Sequence, residues 1–403
     1  MSTHTEVVVV GGGYAGVMAA NRLTQRQDVS VTLINPRPAF VERIRLHQLV
    51  CGSHGAVVDY RDVLAEGVRL VVGSATRIDA PGRSVTLADG GSVGYDYLIY
   101  AVGSGSAAPR VPGAAEFAYP LADLEQARRL RAAVDAVPAT AAVTVVGAGP
   151  TGIEAAAELA EQGRRVTLVC GRELGPYLHP RGRRAVAKRL ARLGVTVLGG
   201  PDATVTAVTS DAVRLSGGHD LPSAVTVWTA GFGVPDLAAR SGLSTDALGR
   251  LLTDETLTSV DDAHIVAAGD SAAPSDLPLR MSCQAAEPLG AQAADTVLSR
   301  IAGSRPIPVD LAFVGQCISL GRRVGIFQIA HRDDTATRFH LVGRSGAKLK
   351  EFICVYTVKQ LAREARKPGS YSWAKDAKRP QRLQARPAEA APATEPSPLN
   401  LRR

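Results

Sequence analysis

Two glycine-rich segments, Gly11-Gly12-Gly13-Tyr14-Ala15-Gly16 and Gly147-Ala148-Gly149-Pro150-Thr151-Gly152, have the residue types and spacing that hold a phosphate group. Each follows a β-branched apolar run, Val7 to Val10 or Val143 to Val146, and opens an alanine-rich stretch. The pattern predicts a buried parallel strand, a tight turn and a helix, twice. In such a turn the first glycine (Gly11, Gly147) permits the reversal. The second (Gly13, Gly149) lets the backbone approach a pyrophosphate, and the third (Gly16, Gly152) lets helix pack on strand. Unpaired N–H groups at the helix start then face the phosphates. Gly12, Tyr14 and Ala15 complete the first turn. A single such segment is weak evidence; two in the same strand-turn-helix setting predict two dinucleotide sites.

Other elements must position these turns. A second strand, Ser30 to Ile34, is closed by Asn35, at the place where dinucleotide folds put an acidic residue on the adenosine ribose. An amide there still accepts a ribose hydroxyl, through its carbonyl. Pro109, Pro112 and Gly113 break the pattern and mark a linker. The alternation of strands and helices predicts an α/β chain with two Rossmann-like domains, one inserted in the other, plus a small C-terminal α+β region. The expected boundaries are 1–112 and 235–306 for the first domain, 113–234 for the inserted one, and 307–375 for the C-terminal region. A helix over 348–366 carries Leu349, Phe352, Ile353 and Tyr356 on one face. That face packs on its own domain or lies on a membrane. Residues 376–403, rich in Ala, Pro and Arg, are expected to be disordered.

Composition bounds the chemistry. The chain has 403 residues, 45% of them hydrophobic, enough for two or three cored domains. No apolar stretch approaches a membrane span and the first strand leaves no place for a signal peptide, so the chain reads as cytoplasmic. Five scattered cysteines without a CxxC pair argue against a disulfide framework and a zinc site, and no metal site is expected. The net charge of +8 is uneven: residues 321–403 carry +11 and residues 1–320 carry −3. A basic end on a nearly neutral body suits a peripheral contact with an anionic membrane face, or is simply solvated; no nucleic-acid partner is expected.

Together these motifs resemble the two-dinucleotide-binding-domain flavoproteins, in the branch of type II NADH dehydrogenases and apoptosis-inducing-factor-like NAD(P)H oxidoreductases. Besides both turns, Tyr97-Leu98-Ile99-Tyr100-Ala101-Val102-Gly103 and Trp228-Thr229-Ala230-Gly231 are similar to the two "ATG" connections, and His264 to Asp270 to the second FAD motif. The resemblance implies FAD at the first turn, NAD(P)H at the second, and Asp270 on the ribityl hydroxyls. It also implies Arg45 beside FAD, the backbone near Ala75 at the adenine, and Glu154 near the nicotinamide and the acceptor. A basic residue suits the reduced flavin, which is anionic at N1. The implied activity is hydride transfer from NAD(P)H to FAD, then electron transfer to a quinone or other small acceptor. A homodimer is left open.

Four departures qualify the resemblance. Cys170 stands where NADH-preferring relatives have a glutamate, and Arg172, with Arg164 and Arg165, suits the 2′-phosphate of NADPH. In Cys283 to Gly290 only Gln284 remains of the glutamines that flank the quinone. Cys51, a lone thiol, raises the alternative of a cysteine-dependent flavin peroxidase or oxidase. His47 beside it is either a proton shuttle or a structural histidine. A redox-sensing interaction module, working through the basic C-terminal region, is the non-enzymatic alternative.

Overall fold

The computed structural model describes residues 4–385. Its first domain begins with β1 (Thr5–Val10), α1 (Tyr14–Leu23) and β2 (Val29–Asn35), and continues through the short α2 (Leu46–Val50), β3 (Val68–Val72) and β4 (Tyr97–Tyr100). The chain then crosses into the second domain: β5 (Ala118–Pro120), β6 (Ala142–Val146), α3 (Pro150–Glu161), β7 (Arg165–Val169), β8 (Thr196–Leu198) and β9 (Val225–Trp228). It returns to the first with β10 (Ile265–Ala267) and α4 (Cys283–Ile301).

Both sheets are parallel. The first runs β10-β4-β1-β2-β3 and the second β5-β9-β6-β7-β8, so each places its glycine-turn strand at the centre. Such strands are buried on both faces, and this is why Val7 to Val10 is an unbroken apolar run and Val143 to Val146 a β-branched one in which Thr144 too is buried. The two crossings between domains lie side by side, Gly105–Ser106 pairing antiparallel with Phe232–Gly233. The helix α4 packs on α1 so closely that a Cβ on Gly290 would stand 2.2 Å from the Ala15 carbonyl oxygen.

The C-terminal region forms an antiparallel sheet of β11 (Gly315–Ser319), β12 (Gly325–Ala330) and β13 (Ala336–Gly343), crossed by α5 (Arg344–Arg366). The sequence does not announce β13, whose residues are mostly half-exposed or exposed. The orientation of α5 also differs from expectation. Its inward face carries Lys350, Cys354, Thr357, Gln360 and Glu364, whereas Phe352 and Tyr356 face outward, 60% and 45% exposed, with their rings stacked. The inward face is thus mostly polar, with Leu361 and Cys354 as its fully buried apolar members.

The start of the expected disordered tail is folded. α6 (Arg379–Gln384) is anchored by Arg379, which is buried and donates to both oxygens of Glu255 and to the carbonyls of Pro274 and Leu277. A buried guanidinium paired bidentately with a carboxylate compensates for the scarcity of apolar residues there. Residues 386–403 lie outside the described residues. Among the described residues no helix is long and apolar enough to cross a membrane.

Candidate active site

The two glycine turns are built alike. Gly11 and Gly147 have φ of +106° and +107°, a region open to glycine. A Cβ on Gly16 would stand 1.8 Å from the Gly11 carbonyl oxygen, and one on Gly152 would stand 1.8 Å from that of Gly147. A Cβ on Gly13 or Gly149 meets nothing within 4 Å, so each turn opens toward a crevice at a helix N-terminus. The cradle fits a pyrophosphate.

Around the first crevice, Asn35 Oδ1 accepts the Gly12 N–H at 2.9 Å and its amide nitrogen donates to the Arg37 carbonyl. The Tyr60 hydroxyl donates to the Gly12 carbonyl at 2.8 Å. Tyr14 is buried with its ring edge-on to Phe40 and its hydroxyl without a partner. Asp270 follows β10 directly. It accepts from the Ser104 hydroxyl at 2.6 Å and from the N–H of Ser282, whose side chain caps α4, and so the N-terminus of a third helix stands at Asp270. Gly103 takes a left-handed turn beside this group. Ala75 opens the strand after β3, paired with Leu87.

The two arginines ahead of α2 have different partners. Arg45 is buried and fully engaged, donating to Glu42, to Gln48 and bidentately to Glu351 of α5. The guanidinium next to Asp270 is that of Arg43, 3.9 Å away and donating to the Ser104 hydroxyl. Glu351, 306 residues downstream, captures Arg45, and the local sequence holds no sign of it.

At the second crevice, Cys170 is half-buried and its thiol is pushed up to about 11 by burial. Arg172 is exposed at the rim. Arg164 and Arg165 do not join it: they sit at the start of β7, the opposite end of the strand, and Arg164 donates to the Val137 carbonyl. The expected trio reduces to Arg172. Thr229, of the second "ATG" connection, donates to the carbonyls of Val146 and Gly147 and so braces the turn.

Beside the second turn, α2, α3 and α5 contribute a buried polar cluster. Glu154 accepts the Ser319 N–H at 2.9 Å and lies 3.0 Å from Lys350 Nζ. Burial alone raises a carboxyl's pKa, but Lys350 and His47 outweigh it here and hold Glu154 below its ordinary value. Burial likewise opposes the charge on Lys350, and Glu154 more than restores it. Burial pushes His47 down to about 4 and Glu158 upward. Lys350 reads in sequence as one more surface charge on a basic helix; only its Glu154 partner marks it.

Cys51 packs with Leu46, Leu49 and Val50 in the core that covers the second sheet, and burial raises its thiol far above the ordinary range. A peroxidatic cysteine must form a thiolate, which this setting opposes. Gln284 is committed to the backbone of Val314 and Gly315, and Pro288 and Leu289 are buried. Among the described residues no group of three or more His, Cys, Asp or Glu is placed to hold a metal ion.

Set against known proteins, residues 5–292 match the family model described as pyridine nucleotide-disulphide oxidoreductase. An NADH dehydrogenase-like protein of Mycobacterium tuberculosis is 34% identical over 331 residues, spanning 73% of this chain and 80% of that one. A type II NADH:quinone oxidoreductase of the same organism is 28% identical over 343 residues, 74% of this chain and 73% of its own. Among solved structures, the sulfide:quinone oxidoreductase of Aquifex aeolicus has the same fold at a TM-score of 0.77 and 20% identity, over 89% of this chain and 92% of that one.

Proposed function

This chain belongs to the pyridine nucleotide-disulphide oxidoreductase family, a group of FAD-dependent NAD(P)H oxidoreductases, and from that premise we propose that it passes the electrons of NAD(P)H to a quinone. Gly11, Gly13, Gly16, Asn35, Gly103 and Asp270 would hold FAD, with Arg43 as the cation nearest Asp270. Gly147, Gly149, Gly152 and Arg172 would hold the nicotinamide nucleotide. Bound FAD supplies the hydride acceptor and the two-electron store. The side chains align the two nucleotides and manage protons.

The observation that carries the quinone assignment is the buried Lys350–Glu154 pair. A quinone that takes two electrons also takes two protons. An ammonium held charged in a water-poor interior is a donor to a quinone carbonyl. With Gln284 tied to β11 and Pro288 and Leu289 in the core, the acceptor slot is assigned to the α5 and β11 side rather than to α4. The outward face of α5 fits a lipid-borne acceptor: Phe352, Val355 and Tyr356 are exposed, and the segment from 321 onward is strongly basic.

The test is steady-state turnover of the yellow protein with NADH and with NADPH, against naphthoquinone, ubiquinone and ferricyanide. Quinone turnover is expected, and K350A is expected to lower it by about a hundredfold, in the range of a lost acid-base or electrostatic group. Wild-type protein that reduces ferricyanide but no quinone sinks the assignment. Sedimentation with anionic vesicles, weakened in F352D/Y356D, tests the membrane contact.

A further inference from the structure

The chain that leaves α5 folds back over the first domain and reaches the segment behind Asp270. Residues 271–281 depart from Asp270 and return to it as a loop, because the Ser282 N–H donates to Asp270 Oδ1 at 3.2 Å. The loop begins as Ala272–Pro274, which runs parallel to Leu251–Thr253. Ser275 and Asp276 follow with φ of +48° and +50°, a left-handed conformation that residues other than glycine adopt at a cost. Two in succession persist only where the surroundings hold them.

An arginine of α6 supplies that hold. Arg379 donates through Nη2 to the carbonyls of Pro274, at 3.3 Å, and Leu277, at 3.1 Å, one on each side of the left-handed pair. The same guanidinium grips both carboxylate oxygens of Glu255, at 2.7 and 2.9 Å. Glu255 sits on a firm turn: the Asp254 carboxylate accepts the N–H groups of Thr256 and Thr258, and the Thr296 hydroxyl of α4 donates to the Thr256 carbonyl. The chain from α5 to α6 is tied down along its way. Glu364 accepts the N–H groups of Gly369 and Tyr371, the Trp373 indole donates to Asp310, and the Ala374 carbonyl accepts the Ala312 N–H.

We propose that residues 367–385 are a clasp for the flavin, in which Arg379 keeps loop 271–281 in the shape that holds the Ser282 N–H on Asp270. Arg379 is then a positioning residue, acting on FAD through Asp270. The proposal rests on the assignment of Asp270 to FAD made above. Ser104 binds one oxygen of that carboxylate and Ser282 the other, which fixes its plane and leaves the remaining lone pairs to ligand hydroxyls. A loosened loop frees Ser282, and the carboxylate turns. Pinning α6 to the first domain needs the Glu255 pair alone; the two carbonyl bonds bracket the strained residues and serve the loop. Near the far end of the loop, Arg280 pairs with Asp334 of the turn between β12 and β13, so the C-terminal region holds the loop at two points.

The experiment follows flavin release from full-length holoenzyme at room temperature, by fluorescence on dilution, with far-UV circular dichroism of the same samples. R379M keeps the bulk of the stem and is expected to release FAD about tenfold faster or more; R379K, whose ammonium lacks the planar fork, is expected to lie between it and wild type. W373F removes the indole bond to Asp310 elsewhere in the clasp and is expected to stay within about threefold of wild type. Hydrogen exchange gives the local readout: amides of 271–282 are expected to exchange faster in R379M, with those of β1 and β6 unchanged. Release within about threefold of wild type in R379M, release that tracks loss of circular dichroism, or equal release from W373F overturns the clasp. R379K carries the test if R379M fails to fold. D270N separates the two assignments: if it retains flavin as wild type does, Asp270 loses its role toward FAD, and exchange over 271–282 alone decides the hold of Arg379 on the loop.

Discussion

The two glycine turns have nearly the same backbone and different surroundings. Behind the first, Asn35 and Tyr60 are buried and grip Gly12 by its N–H and its carbonyl. Behind the second, the residue at the end of the strand is Cys170, whose thiol has only a weak contact to the Leu168 carbonyl at 3.9 Å. The Ala148 carbonyl takes one backbone bond, from Gly175. The helices differ too. Counting from the third glycine of each turn, Met18 and Arg22 of α1 correspond to Glu154 and Glu158 of α3. Met18 is in the core, whereas both glutamates belong to the buried polar cluster. A turn locked by side chains suits a nucleotide that stays. A turn braced by Thr229 from the neighbouring strand but not from its own strand end, beside a helix that carries titratable groups, suits one that comes and goes while protons move.

The largest expected effects separate the turns outright. In G16A and G152A alike the new methyl overlaps a backbone oxygen at 1.8 Å, so neither turn keeps its shape. G16A is expected to purify without flavin. G152A is expected to stay yellow and be reduced by dithionite, yet to lose reduction by NAD(P)H by about a hundredfold or more, as expected for an overlap costing ~3 kcal/mol or more. The flavin-to-protein absorbance ratio and anaerobic stopped-flow reduction measure both. Flavin loss in G152A breaks the division of labour.

Next is the pH response of the second helix. His47 takes up a proton less readily in the folded protein than in the unfolded chain, about 4 against 6.5. Between those values the unfolded state binds more protons, so this group's contribution to stability rises with pH across the window and is flat above it. The ceiling is about 3 kcal/mol. Glu158 acts in the opposite sense: its raised pKa gives stability that is present below the ordinary glutamate value and is lost as pH rises through its folded value. Thermal unfolding of the wild type is expected to show a Tm that falls on acidification from pH 6.5 toward 4, with a shallower fall in H47Q. Identical slopes in the two proteins rule out a buried neutral imidazole as the source.

What the sequence reveals follows how local the cause is. The turns, their strands and the opening of their helices were readable because strand, glycine spacing and helix start are contiguous. Glu154 was legible through its place just after the second glycine turn. Its partners, His47, Ser319 and Lys350, come from segments more than 100 residues away, and no pattern links them. Arg45 and Arg43 are equivalent on paper; Glu351 of α5 takes one and leaves the other near Asp270. Arg379 folds the segment after residue 375 through Glu255. The inverted α5 is the same lesson at the scale of an element. Periodicity identifies two faces, but the Glu154, Arg45 and Arg22 contacts decide that the polar one turns inward.

The grip on the first turn is the third test. N35A leaves the buried Gly12 N–H without a partner, which costs ~1–3 kcal/mol. FAD dissociation is expected to weaken retention by about tenfold to a hundredfold, read by fluorescence of released flavin on dilution, with a smaller change in Y60F. Substitution of Cys170 by Ala at the matching place in the second domain is expected to leave nucleotide affinity within about threefold, because no bond to the turn is lost. If C170A weakens NAD(P)H as much as N35A weakens FAD, the two turns are held alike after all.

The smallest effect concerns which nucleotide visits. Cys170 leaves no carboxylate at the strand end to repel a 2′-phosphate, and of the three expected arginines only Arg172 stays near it, Arg164 and Arg165 lying at the far end of β7. Glu173, next in sequence, is exposed and paired with Arg183, which tempers the positive field. A single exposed guanidinium on a phosphate gains little against water and salt, so R172A is expected to raise the KM for NADPH by about fivefold to tenfold and that for NADH by less than about twofold. The NADPH effect should shrink as ionic strength rises, which a merely structural role for Arg172 does not predict. A wild-type preference for NADH beyond about tenfold, equal to about 1.4 kcal/mol, removes the 2′-phosphate contact. It would leave the second crevice selective through the ribose alone, without any strand-end carboxylate to provide it.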